Sequence, residues 1–230
     1  MTVSTFYPSL DGSVKHSQAG LTWTEIVQAA GNTASHTADF EPMVDFWATD
    51  VLDRFRINCR GILIFDTSLI DPSEEILNAT LRLWGIYKID GLLCTPDFAI
   101  YSADPASDIV LVGADYARLG NTPFSNVYPW ASWVVDGWNE IPLIAAGLAA
   151  INAGGLTRLG VRNANYDVAE ELDPGNHQPN WVSTKDSYFY PYMVEKGAPY
   201  RPELVITHEV PAARPPASSL ASQAIAEGLI

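Results

Sequence analysis

The groups of this chain that could do chemistry are hydroxyls, carboxylates and imidazoles. Residues 60–75, RGILIFDTSLIDPSEE, end an apolar run with Asp66, Thr67 and Ser68. A serine or aspartate held at the rigid end of a strand could be a nucleophile or a base. Short polar side chains in the same place also stabilise turns, because they bond to nearby backbone groups. The segment therefore belongs either to an enzyme or to a scaffold.

Catalytic motifs with a fixed local spacing are missing from the sequence. It has no GxSxG, no HExxH and no phosphate-binding GxxxxGK[ST]. The four histidines are far apart, and although any of them could meet a serine in space, no local pattern indicates such a pair. We therefore predict no catalytic residue and a protein that is not an enzyme. Ser68 is interpreted as a turn residue.

The densest group of carboxylates lies in the segment EELDPGNH. Its members are Glu170, Glu171 and Asp173, followed by Gly175. Oxygen ligands on a loop of this kind can hold calcium, although the spacing is not that of an EF-hand. The alternative is a solvated acidic loop, which the sequence favours. Calcium is the one cofactor that we consider, and otherwise we predict none.

Aromatic residues cluster in the segment WVSTKDSYFYPYM. In an extended chain Tyr188, Tyr190 and Tyr192 project from one face and Phe189 from the other. Together with Trp181 they could form a platform that stacks on sugar rings or fills a protein interface. The competing interpretation is a strand that covers the core.

Composition and charge exclude several classes of partner. The 230 residues carry a formal net charge of −14, with 13 basic and 27 acidic side chains. Nucleic acids and anionic membranes bind clustered Lys and Arg, so neither is an expected partner. Residues 1–12 have neither the basic nor the apolar part of a secretory signal. We therefore expect synthesis in the cytoplasm, and we expect Cys59 and Cys94 to be buried thiols.

Strand patterns recur from residue 40 onward and predict an all-β fold, a two-sheet sandwich of jelly-roll type. Thr22 and Glu25 have the spacing of a capping box and predict a short helix over 21–31, and a second helix is predicted over 143–155. Residues 1–209 are expected to form a single domain. The predicted strands cover 43–48, 55–65, 76–88, 95–102, 127–134, 138–144, 156–163, 187–194 and 202–209, after an extended segment over 2–16.

Two of these strands have informative patterns. Apolar residues alternate with polar ones over 76–84, which predicts a strand with one buried face. In the preceding run Ile62 and Ile64 oppose Leu63 and Phe65, so that both faces are apolar. This pattern predicts a central strand that is covered on both sides.

The C-terminal segment departs from the strand pattern. Residues 210–219 are rich in proline and predict a linker. Leu220, Ala224, Ile225 and Leu229 follow at helical spacing. A helix of about twelve residues is marginal alone in water, so we expect it to dock on its own domain or on a neighbouring subunit. The linker favours the neighbour.

The stretch CRGILIFDTSLIDPSEEILNATLRLW resembles the DNRLRE-type domains, which are β-sandwich modules related to carbohydrate-binding modules. The resemblance extends to later segments and covers roughly residues 3–209. It implies a non-enzymatic sandwich of the kind found on secreted polysaccharide-acting proteins and in proteins of phage-like genomes. The residues that carry it at the core of the motif are Arg60, Phe65, Asp66, Thr67, Ser68 and Pro72.

Two functional hypotheses follow from these patterns and this resemblance. The first is a structural protein of a virus-like particle, such as a capsid decoration, head-fibre or tail-associated protein. It would lie on the virion surface, contact other virion proteins and copies of itself, and could touch host glycans. The alternative is an extracellular carbohydrate-binding module, assisted by calcium at the acidic loop, with a polysaccharide as its partner.

Overall fold

The computed structural model describes residues 1–211, and within them most of the regular structure consists of antiparallel strands. The all-β sandwich prediction is confirmed. The strands are β1 Thr2–Phe6, β2 Pro8–Leu21, β3 Thr33–Ser35, β4 Val44–Ala48, β5 Phe55–Asp66, β6 Glu75–Asp90, β7 Phe98–Ala103, β8 Leu119–Pro123, β9 Gly137–Pro142, β10 Leu156–Asn163, β11 Asp186–Pro191 and β12 Glu203–Glu209. The α-helices are α1 Trp23–Val27, α2 Ala145–Ala149 and α3 Ala169–Leu172, and a π-helical turn, Ala164–Val168, leads into α3.

Most predicted elements lie where the sequence placed them, with one wrong strand. Residues 127–134 do not form a strand but contain a 3-10 turn over Trp130–Ser132. Pro129 begins this turn and accepts a hydrogen bond from the Ser132 N–H at 2.9 Å. Proline has no N–H to give to a sheet, so a turn is the better use of this segment. Strands β3 and β8 and helix α3 were not predicted, and α2 is shorter than expected.

The predicted capping box at the start of α1 is confirmed. The Glu25 N–H donates to the Thr22 hydroxyl at 3.3 Å, and the Thr22 N–H donates to the Glu25 carboxylate at 2.7 Å. Both bonds satisfy N–H groups that a helix start otherwise leaves unpaired. The helix places Trp23 against Phe46 and Phe55 in the core.

All twelve strands belong to one hydrogen-bonded set, because the two longest strands change partners along their length. Strand β2 follows one edge of β5, whereas the other edge pairs first with β4 and then with β10. Strand β6 likewise pairs with β12 over its first half and with β11 over its second, and β9 pairs on the opposite edge. The two layers of the sandwich are thus continuous through β4 and β11.

Burial along β5 confirms that both of its faces are covered. Leu63 and Phe65 pack into the main core, whereas Ile62 and Ile64 pack into a second cluster around Tyr116. In β6 the predicted one-sided pattern is also confirmed, because Ala79, Leu81 and Leu83 are buried between polar neighbours. Cys59 and Cys94 are buried free thiols.

The turn interpretation of Asp66, Thr67 and Ser68 agrees with their contacts. The Asp66 carboxylate accepts the Ser68 N–H at 3.0 Å. The buried Thr67 hydroxyl lies 2.8 Å from that of Thr157 and donates to a carbonyl of the loop before β10. These bonds fasten the end of β5 to the start of β10, so this motif stabilises the fold.

The tail predictions at Leu220, Ala224, Ile225 and Leu229 fall outside the described residues, as does most of the predicted linker over 210–219. Within residues 1–211 no helix has the length and apolar character that a bilayer span requires.

Candidate functional site

A β-bulge in β6 creates the surface that we consider the candidate site. Tyr190 of β11 pairs with Tyr87, but the next pair joins Pro191 to Gly85. Ile86 therefore has no register partner on β11. A bulge of this kind turns the following side chains to the other face of the strand. Trp84, before the bulge, and Tyr87, after it, therefore both lie on the outer surface of the sandwich.

The first set of rings on this surface is the tyrosine group, Phe40, Tyr87, Tyr188 and Tyr190. The rings of Tyr188 and Tyr190 are 4.9 Å apart, and Tyr190 lies 6.2 Å from both Tyr87 and Phe40. Phe40 and Tyr87 close the set at 5.9 Å. Tyr87 is 53% exposed and Phe40 42% exposed, so these faces are open to a ligand.

The second set is the tryptophan group, Trp84, Trp138, Tyr192 and Tyr200. Trp84 lies 5.4 Å from Trp138 and 5.0 Å from Tyr200, and Tyr200 lies 5.4 Å from Tyr192. The Lys196 ammonium is 4.8 Å from the centre of the Tyr192 ring, within the range of a cation–π contact. We call the two groups together the aromatic face.

A cleft of about 300 Å³ separates the two groups of rings, and we call it the bulge cleft. The bulge residue Ile86 lines this cleft. This volume lies at the lower end of the range of small-molecule sites. Lys196 lies 3.8 Å from Asp39, so the charged groups at the cleft are paired in part. The lining residues are Asp39, Phe40, Ile86, Tyr87, Asp136, Tyr192 and Lys196.

A buried carboxylate adjoins the tyrosine group. Asp45 in β4 is the register partner of Tyr188 in β11, so the two side chains share a face of the sheet. Asp45 is only 8% exposed, and among residues 1–211 no group hydrogen-bonds to its buried Oδ1 atom. Burial, and then the charge of Asp186, raise the pKa of Asp45 to about 7. The face thus holds an acceptor whose charge changes near neutral pH.

The four aromatic residues of the predicted platform lie in two separate parts of the structure. Tyr188, Tyr190 and Tyr192 share the aromatic face, and Phe189 between them is fully buried on the opposite side, as the alternation predicts. Trp181 is partly buried and packs against the main core. It is therefore a packing residue and does not belong to the platform.

The acidic segment uses its carboxylates in three different ways. Glu170 is fully buried and accepts the N–H groups of Gly175 and His177 at 2.6 and 2.8 Å. Glu171 pairs with Arg162, and Asp173 accepts from Asn176 at 2.9 Å. In the part of the chain that is described, no three His, Cys, Asp or Glu side chains are grouped as metal ligands. A calcium site at Glu170, Glu171 and Asp173 stays a prediction.

Arg60, in β5, lies in a buried ionic network. Its guanidinium stacks 3.7 Å above the Tyr116 ring and bonds to Asp167, which also pairs with Arg162. Although burial opposes ionisation, the charges of Arg162 and Arg60 hold the pKa of Asp167 below its usual range. The network ties the π-helical turn to the sheet, so we assign it to the fold.

Sequence reasoning missed several residues of the site. Phe40 lies in an irregular segment. Tyr87 lies in β6, where the bulge residue Ile86 interrupts the alternation of inward and outward side chains. Tyr87 and Ile89 have the same parity as the buried residues of this strand, so simple alternation places both in the core. Only the pairing of β6 with β11 shows that the strand changes face at Ile86.

Comparison with known proteins adds no relative to this description. No protein-family model matches the chain, and no curated protein matches it.

Proposed function

We propose that this protein is a polysaccharide-binding β-sandwich that holds sugar rings on its aromatic face. The observation that carries the proposal is the bulge cleft, a cavity with rings on both sides and the charged groups of Asp39, Asp136 and Lys196 in its lining. Open aromatic rings stack on the apolar faces of sugars, while their polar tips stay in water. Carboxylates and an ammonium fix orientation by bonding to hydroxyl groups. The resemblance to carbohydrate-binding modules supports the same function.

The position of the rings on strands also supports recognition of a ligand by a rigid surface. Tyr87, Tyr188 and Tyr190 stand on two paired strands, so little conformational entropy is lost when a ligand binds. In this proposal the protein binds without chemical turnover on the aromatic face.

The test is a glycan array and isothermal titration calorimetry with the intact chain, with and without calcium. We expect binding to at least one polysaccharide, and we expect Tyr87→Ala and Tyr192→Ala to weaken it by tenfold or more, about 1.4 kcal/mol. Trp181→Ala is the matched control, because Trp181 packs on the core. Absence of binding across the array, or equal affinity in the Tyr87 and Tyr192 variants, would refute the proposal.

The second candidate is a structural component of a virus-like particle, with the aromatic face turned toward host glycans. It is favoured by loop side chains that stand open to contacts, since Leu69 is 89%, Ile109 85% and Leu93 74% exposed. Electron microscopy of the native assembly would place the chain on a shell, a tail or a fibre. Light scattering of a chain that ends at residue 209 would show whether the tail controls self-association.

A further inference from the structure

Ser4, His208 and Glu74 form a chain of hydrogen bonds at one edge of the sandwich. The Ser4 hydroxyl oxygen lies 2.9 Å from Nε2 of His208, and Nδ1 of His208 bonds to the Glu74 carboxylate. The order of groups is therefore hydroxyl, imidazole, carboxylate, with each imidazole nitrogen on one neighbour. This is the arrangement in which a base activates a nucleophile while a third group orients the base.

Two local features direct these side chains toward one another. Thr207 of β12 pairs with Asn78, but His208 pairs with Ile76, so a bulge at Leu77 brings His208 closer to the start of β6. Bulges are common where a strand must re-aim a side chain near an active site. Glu74 ends the turn that contains Pro72. In this turn the Glu74 N–H donates to the Asp71 carbonyl at 2.9 Å.

Exposure decreases from the hydroxyl toward the base. Ser4 is partly exposed, whereas His208 is only 5% exposed. Ser4 lies on β1, which is an edge strand of the sheet within the described residues. The side of β1 opposite to β12 therefore has no strand partner there. Alternate N–H groups of an edge strand point outward and lack strand partners. Such N–H groups are the kind of donor that stabilises an oxyanion.

We propose that Ser4 and His208 are catalytic residues of an acyl-ester hydrolase site, with Glu74 as the positioning residue. The Ser4 oxygen attacks the ester carbonyl carbon while Nε2 of His208 takes the hydroxyl proton. The bond to the alcohol oxygen then breaks, and the alcohol leaves with that proton. Water attacks the acyl-serine through the same base, the acid is released and Ser4 regains its proton. The site opposes our prediction of no catalytic residue, and it is independent of the aromatic face.

The location of the site defines the class of substrate. Because Ser4 stands on an open sheet edge, the site suits small acyl groups on exposed alcohols, such as acetyl esters. Its direct test is covalent labelling of the intact protein with a fluorophosphonate, followed by mass spectrometry of the labelled peptide. We expect one label on Ser4, and hydrolysis of p-nitrophenyl acetate that labelling abolishes.

Variants separate catalysis from packing. His208→Gln should lower the labelling rate by at least about 100-fold, the smaller end of the contribution of a general base. Glu74→Gln should lower kcat for p-nitrophenyl acetate while KM is unchanged, a split that a purely structural role does not produce. Ser9→Ala is the matched control, since its hydroxyl donates to the Ile64 carbonyl on a neighbouring strand. Melting temperatures establish that each variant is folded.

The proposal is overturned if the folded wild-type protein takes no label at Ser4. It is also overturned if Ser4 is labelled at the same rate in folded His208→Gln protein, because the hydroxyl would then react without its base. Either result would leave the hydrogen bonds of these three residues as a structural link between β1, β12 and the turn before β6.

Discussion

Arg60 donates two hydrogen bonds to Asp167 from a position 107 residues earlier in the chain, at 2.9 and 2.6 Å. Both side chains are buried, with exposures of 2% and 0%. Breaking a buried ion pair leaves a charge without compensation, and this costs far more than the loss of a surface pair. Asp167 in addition faces Arg162, so its removal would leave two guanidinium groups in the interior.

We therefore expect Asp167→Ala to lower the free energy of unfolding by about 3–5 kcal/mol, or to prevent folding. Urea denaturation followed by circular dichroism measures the change. The control is Arg158→Ala, which removes a half-exposed pair with Asp108 and should cost about 1 kcal/mol or less. An equal loss of unfolding free energy in both variants would show that the buried network stabilises the fold no more than a surface ion pair does.

Tyr87→Ala should weaken glycan binding and leave stability nearly unchanged, because the ring is more than half exposed. Trp181→Ala should do the reverse, since its ring packs on the main core. Calorimetric affinities and melting temperatures of the two variants give the comparison. A Trp181 variant that binds worse but melts at the wild-type temperature would place that ring in the site after all.

Glycan affinity should rise with pH between 6 and 8, because Asp45 loses its proton in this window and an ionised carboxylate accepts stronger hydrogen bonds. The charges that act on Asp45 come from Asp186 on β11, Lys15 on β2 and Arg56 on β5. Asp45→Asn should abolish the rise and bind with one affinity over the whole range. A rise that persists in Asp45→Asn would assign it to another group.

Stability should fall as pH increases from about 5 to 9. Burial, and then the charge of Glu195, raise the pKa of Asp11 to about 8, and the pKa of Asp45 is raised to about 7. The folded state then binds more protons than the unfolded state between about pH 4, where an unfolded aspartate loses its proton, and about pH 8, where folded Asp11 loses its own. The stabilisation is complete below the unfolded pKa and is lost as pH rises through the folded pKa.

Melting temperatures of the wild type and of Asp11→Asn/Asp45→Asn across this range measure the effect. We expect the double variant to show a much flatter dependence on pH. Asp66→Asn serves as the control, because this exposed carboxylate does not have a raised pKa. A wild-type melting temperature that rises from pH 5 to 9 would contradict the assignment of both buried acids.

Features that depend on neighbouring residues could be predicted from the sequence. The capping box of α1, the alternation in β6 and the common face of Tyr188 and Tyr190 each involve contacts within a few positions. The bulge residues Ile86 and Leu77 could not be predicted, because a bulge is defined by the partner strand.

The candidate sites escaped prediction for the same reason. Ser4 and His208 are 204 residues apart in the chain, and Phe40 meets Tyr87 only when the sandwich closes. The sequence indicated that rings and hydroxyls were available. Which of them meet is decided by the register of paired strands, and no local pattern carries that information.

The pairing of the first strand with the last has a consequence for biosynthesis. Thr2 of β1 pairs with His208 of β12, and β12 also covers the first half of β6. During translation β1 must wait for β12 to leave the ribosome, while the edge of β6 stays open to other chains. A chain interrupted before residue 203 would lack β12 and would keep that edge of β6 unpaired, which is a template for association with other chains.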